Sequence, residues 1–262
     1  MTIVPPYFEA LVAAHARGAG ADHVHLGHWD DPPPLDAPTR PGEFEAAQDR
    51  LAALLVEMAD LADGQDVLDV GCGFGGTARM AQGRAAVALW GVNVDPCQLA
   101  VCRTLGGGRW IAADACRLPF PAACFDRVLC VEAAFHFASR DTFLAEAARV
   151  LRPGGRLVLS DILLRRPAAG PLPLPEIERV LQAGYGPWPE PWTTRAELDA
   201  AAASVSLTLV AEHDATANTL PSYRVTAPRR ADRRWNAGAL LRWLHASGHA
   251  AYPCLAYERA SA

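Results

Sequence analysis

The sequence contains no lysine, so all 24 basic side chains among its 262 residues are arginines. That absence removes Schiff-base chemistry, a pyridoxal phosphate lysine and the lysine of a Walker-type phosphate loop. Excess positive charge is also missing. With a formal charge of −5 and a pI near 5.9, the chain offers no basic face for DNA or RNA, and nucleic acid is not an expected partner. Seven cysteines (Cys72, Cys97, Cys102, Cys116, Cys124, Cys130 and Cys254) form an odd set with no Cys-x-x-Cys spacing. They read as reduced thiols of a cytosolic protein, neither a disulfide framework nor a metal site. No apolar run reaches the roughly 18 residues needed to span a membrane, and the N-terminus, with Glu9, has no basic-then-apolar leader. The expectation is a soluble, cytoplasmic protein without a membrane partner. No internal repeat or heptad pattern occurs, and nothing in the sequence sets an oligomeric state.

What the sequence does contain is a glycine loop after a short apolar run. Val67, Leu68 and Val70 make a buried parallel strand, and Gly71, Gly73 and Gly76 break it into a turn that opens a helix. Glycines there let backbone N–H groups approach a ligand where a Cβ would collide. The spacing Gly-x-Gly-x-x-Gly, with Asp95 about twenty residues on, also suits a dinucleotide enzyme, and a tight strand-to-helix turn needs no ligand at all. Asp69 separates the ligands. A carboxylate at the strand end repels pyrophosphate, whereas the cationic groups of S-adenosylmethionine favour it.

Further segments follow in a fixed order: Gly91-Val92-Asn93-Val94-Asp95, Ala113-Asp114-Ala115-Cys116-Arg117-Leu118-Pro119-Phe120, Phe125–Glu132, and Val150-Leu151-Arg152-Pro153-Gly154-Gly155. Together they resemble the motifs of class I S-adenosylmethionine-dependent methyltransferases of the small-molecule type, over residues 64–163. The resemblance implies an α/β, Rossmann-like fold: a mainly parallel seven-stranded sheet whose last strand runs antiparallel between the fifth and sixth.

The chain reads as one methyltransferase domain. Residues 1–42 form an N-terminal cap, 64–163 the cofactor-binding core, 164–193 a lid, and 194–262 the C-terminal strands and helices. Between cap and core, Phe44, Ala47, Leu51, Leu54, Leu55 and Met58 recur at helical spacing until Gly64. Strands are expected near 66–70, 87–92, 109–112, 125–131 and 156–163, alternating with helices near 76–83, 96–105 and 140–150. Leu207–His213 and Ala251–Glu258 read as later strands, and Trp235–His245 as a helix. The lid is proline-rich, with Tyr185, Trp188 and Trp192 among its prolines, and reads as a long ordered loop whose rings face a substrate.

For the cofactor, S-adenosylmethionine, the resemblance places Gly71, Cys72 and Gly73 along the methionine and ribose and Asp69 at the ammonium. Asn93 stands where relatives carry an acid for the ribose hydroxyls. An amide can accept from one hydroxyl and donate to the other, while Asp95 is a rival. Val94, Gln98 and Val131 flank this site. Asp114 and the Ala115 N–H are expected to bind adenine, although an aspartate there also suits a turn. Tyr7, with Phe8, resembles a segment that closes over the cofactor.

Methyl transfer is a displacement at an activated sulfonium methyl, so alignment, water exclusion and the acceptor's proton are the protein's tasks. Glu132-Ala-Ala-Phe135-His136 resembles the Glu-x-x-x-His segment of small-molecule methyltransferases. His136 is the first choice for general base, Glu132 the second, and proximity alone remains an alternative. His25-Leu26-Gly27-His28-Trp29 resembles a segment lying over the active site. Trp29, Phe135, Tyr185, Trp188 and Trp192 are the expected acceptor-facing residues. His23, His25 and His28 lack thiolate neighbours and are not read as a metal site. The arginines Arg229, Arg230, Arg233 and Arg234 read as a solvated run or as an anchor for an anionic acceptor group.

The resulting expectation is methyl transfer to a small, largely apolar metabolite in natural-product biosynthesis, with oxygen ahead of carbon as the acceptor atom. Two rivals stand beside it: a non-methylating member of the fold that catalyses a cyclisation or rearrangement, and a nicotinamide-dependent oxidoreductase.

Overall fold

The computed structural model describes residues 9, 12–15, 22–227 and 235–261. Tyr7, Phe8 and the arginines at 229, 230, 233 and 234 lie outside the described residues.

Helix α1 (Glu43–Met58) precedes the alternating core: β1 (Asp66–Val70), α2 (Gly76–Arg84), β2 (Ala88–Asn93), α3 (Pro96–Leu105), β3 (Gly108–Ala112) and β4 (Phe125–Val131). A short 3₁₀ turn at Ala134–His136 leads to α4 (Arg140–Val150) and β5 (Leu151–Ser160). The remainder comprises β6 (Leu163–Leu164), α5 (Leu174–Tyr185), α6 (Arg195–Ser204), β7 (Leu207–Asp214), short helical turns over 216–226, α7 (Ala237–Ala246), β8 (Ala250–Ala251) and β9 (Pro253–Arg259).

Seven strands pair in the order β3-β2-β1-β4-β5-β9-β7. All neighbours are parallel except β9, which runs antiparallel to both β5 and β7 as the resemblance implied. Both faces are covered, so alternate residues of one strand enter different cores. Val67, Leu129 and Val131 join the cluster of α1, α2, α5 and α7, whereas Leu68, Val128 and Cys130 join that of α4 and α6. Strand order reverses between β1 and β4. The crevice at such a switch point, beyond the strands' carboxyl ends, is where open α/β sheets bind ligands.

Two expectations are corrected. The fifth strand starts at Leu151 and stops at Ser160, because Pro153-Gly154-Gly155 is absorbed as an irregularity in pairing with β4 between Phe125 and Arg127. The segment 164–193 is not a continuous loop. Pro175 lies in the first turn of α5, where a missing N–H costs nothing, and Ile177 and Leu181 bury one face among residues that include Leu240, Leu241 and Leu244 of α7.

Candidate active site

A cavity of about 630 Å³ opens at the switch point. Its inner wall is the loop after β1, the ends of β2 and β4, and the loop after β3. Its outer wall comes from residues 23–26, from Phe44 and Gln48 of α1, and from Tyr185, Pro187 and Pro189 at and after the end of α5.

The inner wall suits S-adenosylmethionine on two independent grounds. Gly71 and Gly73 have φ +75° and +53°, and a Cβ on Gly73 would sit 2.9 Å from Val24 Cγ2. Glycine therefore keeps the loop and residues 23–25 in close contact. Beneath it, Asp69 is 1% exposed and its Oδ2 has no hydrogen-bond partner among the described residues. Burial pushes this carboxyl up to about 7. Asp69 and Cys72 line a narrow annex that shares Gly71 and Gly73 with the main cavity. A buried, unsatisfied carboxyl at this place fits a cationic ligand group.

Asn93 lines the cavity, donates from Nδ2 to Gln98 Oε1 at 3.1 Å and accepts at Oδ1 from the Asp95 N–H. Its rival Asp95 does not line the cavity. Asp95 caps α3 instead, accepting from the Cys97 N–H at 2.8 Å, which accounts for an acid before Pro96. Asp114 combines two placements, lining the cavity and closing a turn through Oδ1, which accepts from the Cys116 N–H. Val94, Gln98, Ala115 and Val131 also line the wall.

Glu132 and His136 face the same cavity, brought together by the turn that follows β4. Glu132 holds φ +48°, a costly conformation for a side chain with a Cβ. Burial pushes its carboxyl up to about 8, even though Tyr252 and the Leu26 N–H both donate to it. His136 Nδ1 donates to the Pro187 carbonyl at 2.9 Å, which places the proton on Nδ1 and leaves Nε2 as the basic nitrogen. Burial pulls its imidazole down to about 4, so the ring is neutral at physiological pH.

The aromatic expectations divide. Phe135 and Tyr185 line the cavity, but Trp29, Trp188 and Trp192 do not. Trp188 packs behind Phe135 with ring centroids 4.4 Å apart, and Trp29 stacks behind Phe44 at 6.1 Å. Trp192 turns its indole N–H to Glu178. Trp188 and Trp29 back the wall rather than form it, because an apolar cavity needs a second layer to hold its lining rings. Phe44, Gln48, Ile162 and Leu241 of the wall were missed. Only Phe44 and Leu241 had a hint, their places on the helices α1 and α7, and a helical pattern marks a buried face without saying what it faces.

His23 and His25 also line the cavity, and hydrogen bonds join them at 3.0 Å, with His25 bonded on to the Leu26 carbonyl and His23 to Asp49. Among the described residues no group of three His, Cys, Asp or Glu side chains is placed to hold a metal.

Comparison with known proteins settles the family. A methyltransferase domain model matches residues 68–159. O-methyltransferase rstn1 of Aspergillus nomiae is 32% identical over 169 residues, which cover 62% of this chain and 72% of that one. The chain belongs to the class I S-adenosylmethionine-dependent methyltransferases. Methyltransferase GfsG of Streptomyces halstedii is 37% identical to this methyltransferase over 156 residues, 57% of the chain. That match spans only about half, 54%, of the relative's length. Among solved structures, geranyl diphosphate methyltransferase with geranyl diphosphate and sinefungin superposes with a TM-score of 0.76 at 22% identity, covering 98% of this chain and 95% of that one. The cyclase SpnF superposes with a TM-score of 0.72 at 21% identity, covering 98% and 94%. Both show a common fold. S-adenosylmethionine is the cofactor of this methyltransferase, and no helix among its described residues is long and apolar enough to cross a membrane.

Proposed function

We propose that the methyltransferase methylates a hydroxyl oxygen of a small, largely apolar metabolite of natural-product biosynthesis, with Glu132 taking the hydroxyl proton. The observation that carries this reading is one carboxyl, held at φ +48° and pushed up to about 8, on the wall of a cavity otherwise lined by groups such as Leu26, Phe44, Phe135, Ile162 and Leu241. A general base works best with a pKa near the operating pH. Glu132 at about 8 meets that condition better than His136 at about 4, which reverses the order drawn from sequence. His136 remains neutral and helps to position the acceptor hydroxyl. Curated relatives named as O-methyltransferases support the choice of oxygen.

S-adenosylmethionine supplies the activated methyl group. Gly71 and Gly73 would admit its methionine and ribose, Asp69 its ammonium, Asn93 and Gln98 its ribose hydroxyls, and Asp114 with the Ala115 N–H its adenine. Asp114→Ala is expected to weaken cofactor binding about tenfold or more by calorimetry, with the fold intact. An unchanged dissociation constant would remove Asp114 from the site. Asp69 gives a sign-definite test. Its carboxyl is protonated below about 7 in the free protein, and a bound ammonium favours the ionised form. Cofactor binding at pH 6 should therefore release a proton, and affinity should rise with pH until about 7. Calorimetry in two buffers of different ionisation enthalpy reads that proton directly, and identical enthalpies would contradict the assignment.

The acceptor reading is tested by S-adenosylhomocysteine release with a panel of neutral sterol, terpenoid and macrolide alcohols. Turnover that survives replacement of every hydroxyl by a methyl ether would overturn it. A second reading, a cyclisation or rearrangement without methyl transfer, is favoured by the likeness to SpnF and predicts product without S-adenosylhomocysteine.

A further inference from the structure

Glu132 sits in a closed ring of hydrogen bonds that its own cavity does not explain. Its backbone N–H donates to the Ser160 carbonyl at 3.0 Å and to Ser160 Oγ at 3.1 Å. Ser160 Oγ lies 3.2 Å from the Tyr252 hydroxyl, and that hydroxyl donates to Glu132 Oε2 at 2.5 Å. Tyr252 has a single hydroxyl proton, already given to Oε2, so the Ser160 hydroxyl must be the donor in the remaining link. The ring runs one way: Glu132 N–H to Ser160 O–H to Tyr252 O–H to Glu132 Oε2. Donors aligned in series polarise one another and strengthen each link.

A second donor fixes the carboxyl further. The Leu26 N–H reaches the same Oε2 at 2.8 Å. Two donors on one oxygen make Oε2 the acceptor oxygen, so a proton held by this carboxyl resides on Oε1. Among the described residues Oε1 takes no protein donor, while the Glu132 side chain lines the cavity. Ser160 and Tyr252 are both fully buried and neither lines the cavity. Neither touches acceptor or cofactor.

We propose that Tyr252 and Ser160 are positioning residues that hold the strained Glu132 with Oε2 occupied and Oε1 directed at the acceptor. The inference rests on the reading of Glu132 as the proton acceptor. In the step it serves, the acceptor oxygen forms a bond to the methyl carbon, the carbon–sulfur bond breaks with its electron pair going to sulfur, and the hydroxyl proton passes to Oε1. The ring prevents the carboxyl from turning, and it also offsets burial by favouring the ionised form. Among the described residues, the ionisable groups around Glu132 include Asp161 after β5, Tyr185 at the end of α5, Tyr223 in the short helical turns and Cys254 on β9, with His23, His25 and His136 on the same cavity wall. Asp161 pushes Glu132 up, opposing the two donors.

The test needs no acceptor. In protein labelled with δ-¹³C-glutamate, the Glu132 carboxyl resonance is identified by its loss in Glu132→Gln, and its titration is followed by NMR. Native protein should titrate near 8. Tyr252→Phe keeps the aromatic side chain but removes the hydroxyl, one of the donors to a charged oxygen, so the midpoint should rise by about one to two pH units. Ser160→Ala breaks the ring one link further away and should raise it by less, which keeps the proposal testable if the tyrosine variant folds poorly. Cofactor affinity should stay unchanged in both. An unshifted midpoint in both variants overturns the positioning role and leaves the reading of Glu132 standing. Full turnover of Glu132→Gln overturns that reading and this inference together.

Discussion

Replacing Glu132 by glutamine is expected to lower kcat by about 10²- to 10⁴-fold while cofactor affinity stays close to native, the range typical of losing a general base. Glutamine matches the carboxyl in shape and can still accept from Tyr252 and Leu26, so the loss reports proton transfer rather than packing. The pH profile carries the sign. Because the working form is the carboxylate, native kcat/KM should climb with pH through about 8 and level off above it. The glutamine variant should lack that rise. His136→Ala should cost less, since a ring held down near 4 is a weak base and its contribution is placement. Should His136→Ala abolish turnover while Glu132→Gln retains it, the two roles exchange. If both variants keep native rates, alignment alone drives the reaction, and the acceptor is a nucleophile already active at neutral pH.

The second large effect concerns stability. Arg140 on α4 and Asp161 after β5 form an ion pair at 2.7 Å, with side chains 3% and 0% exposed. The same guanidinium donates to the Glu190 carbonyl at 2.8 Å and to Thr193 Oγ1 at 3.2 Å, tying the segment between α5 and α6 to α4 and the end of β5. Arg140→Met leaves Asp161 as a buried charge with no cation, which costs about 3 to 5 kcal/mol. Denaturant unfolding should show that loss as a lower midpoint with a similar slope. Adding Asp161→Leu should restore most of it, because replacing both partners removes the uncompensated charge. A single variant within about 1 kcal/mol of native would mean that water or another group already serves Asp161.

The core of the fold was legible because its signals are local. Val67–Val70 followed by glycines, and the alternation of short apolar runs with helical patterns, gave β1, α2, α3 and α4 nearly residue by residue. Helix α5 was missed because Pro173, Pro175 and the prolines beyond it read as breakers, although Pro175 in a first turn and Gly186 after the last one are helix boundaries. The sequence favoured Asn93 over Asp95 for the ribose but left Asp95 as a rival. The cap on Cys97 separates them only once α3 is in place. Least legible was the surrounding of Glu132. Ser160, at the end of β5, lies 28 residues away and Tyr252, just before β9, lies 120 residues away, and no spacing rule connects them. The same holds for Arg140 and Asp161, which meet only because β5 returns beside α4. The Glu-x-x-x-His spacing named the pair of ionisable groups, yet their order of basicity depends on burial and donors supplied by the rest of the chain.

Position-specific tracing of a methyl label tests the account most directly. The protein is incubated with S-adenosylmethionine carrying ¹³C in its methyl group and with an alcohol that turns over, and the product is examined by NMR. One labelled methyl per product molecule is expected, bonded to oxygen and formed one-to-one with S-adenosylhomocysteine. Label bonded to carbon, or an unlabelled rearranged product with the cofactor intact, would contradict it.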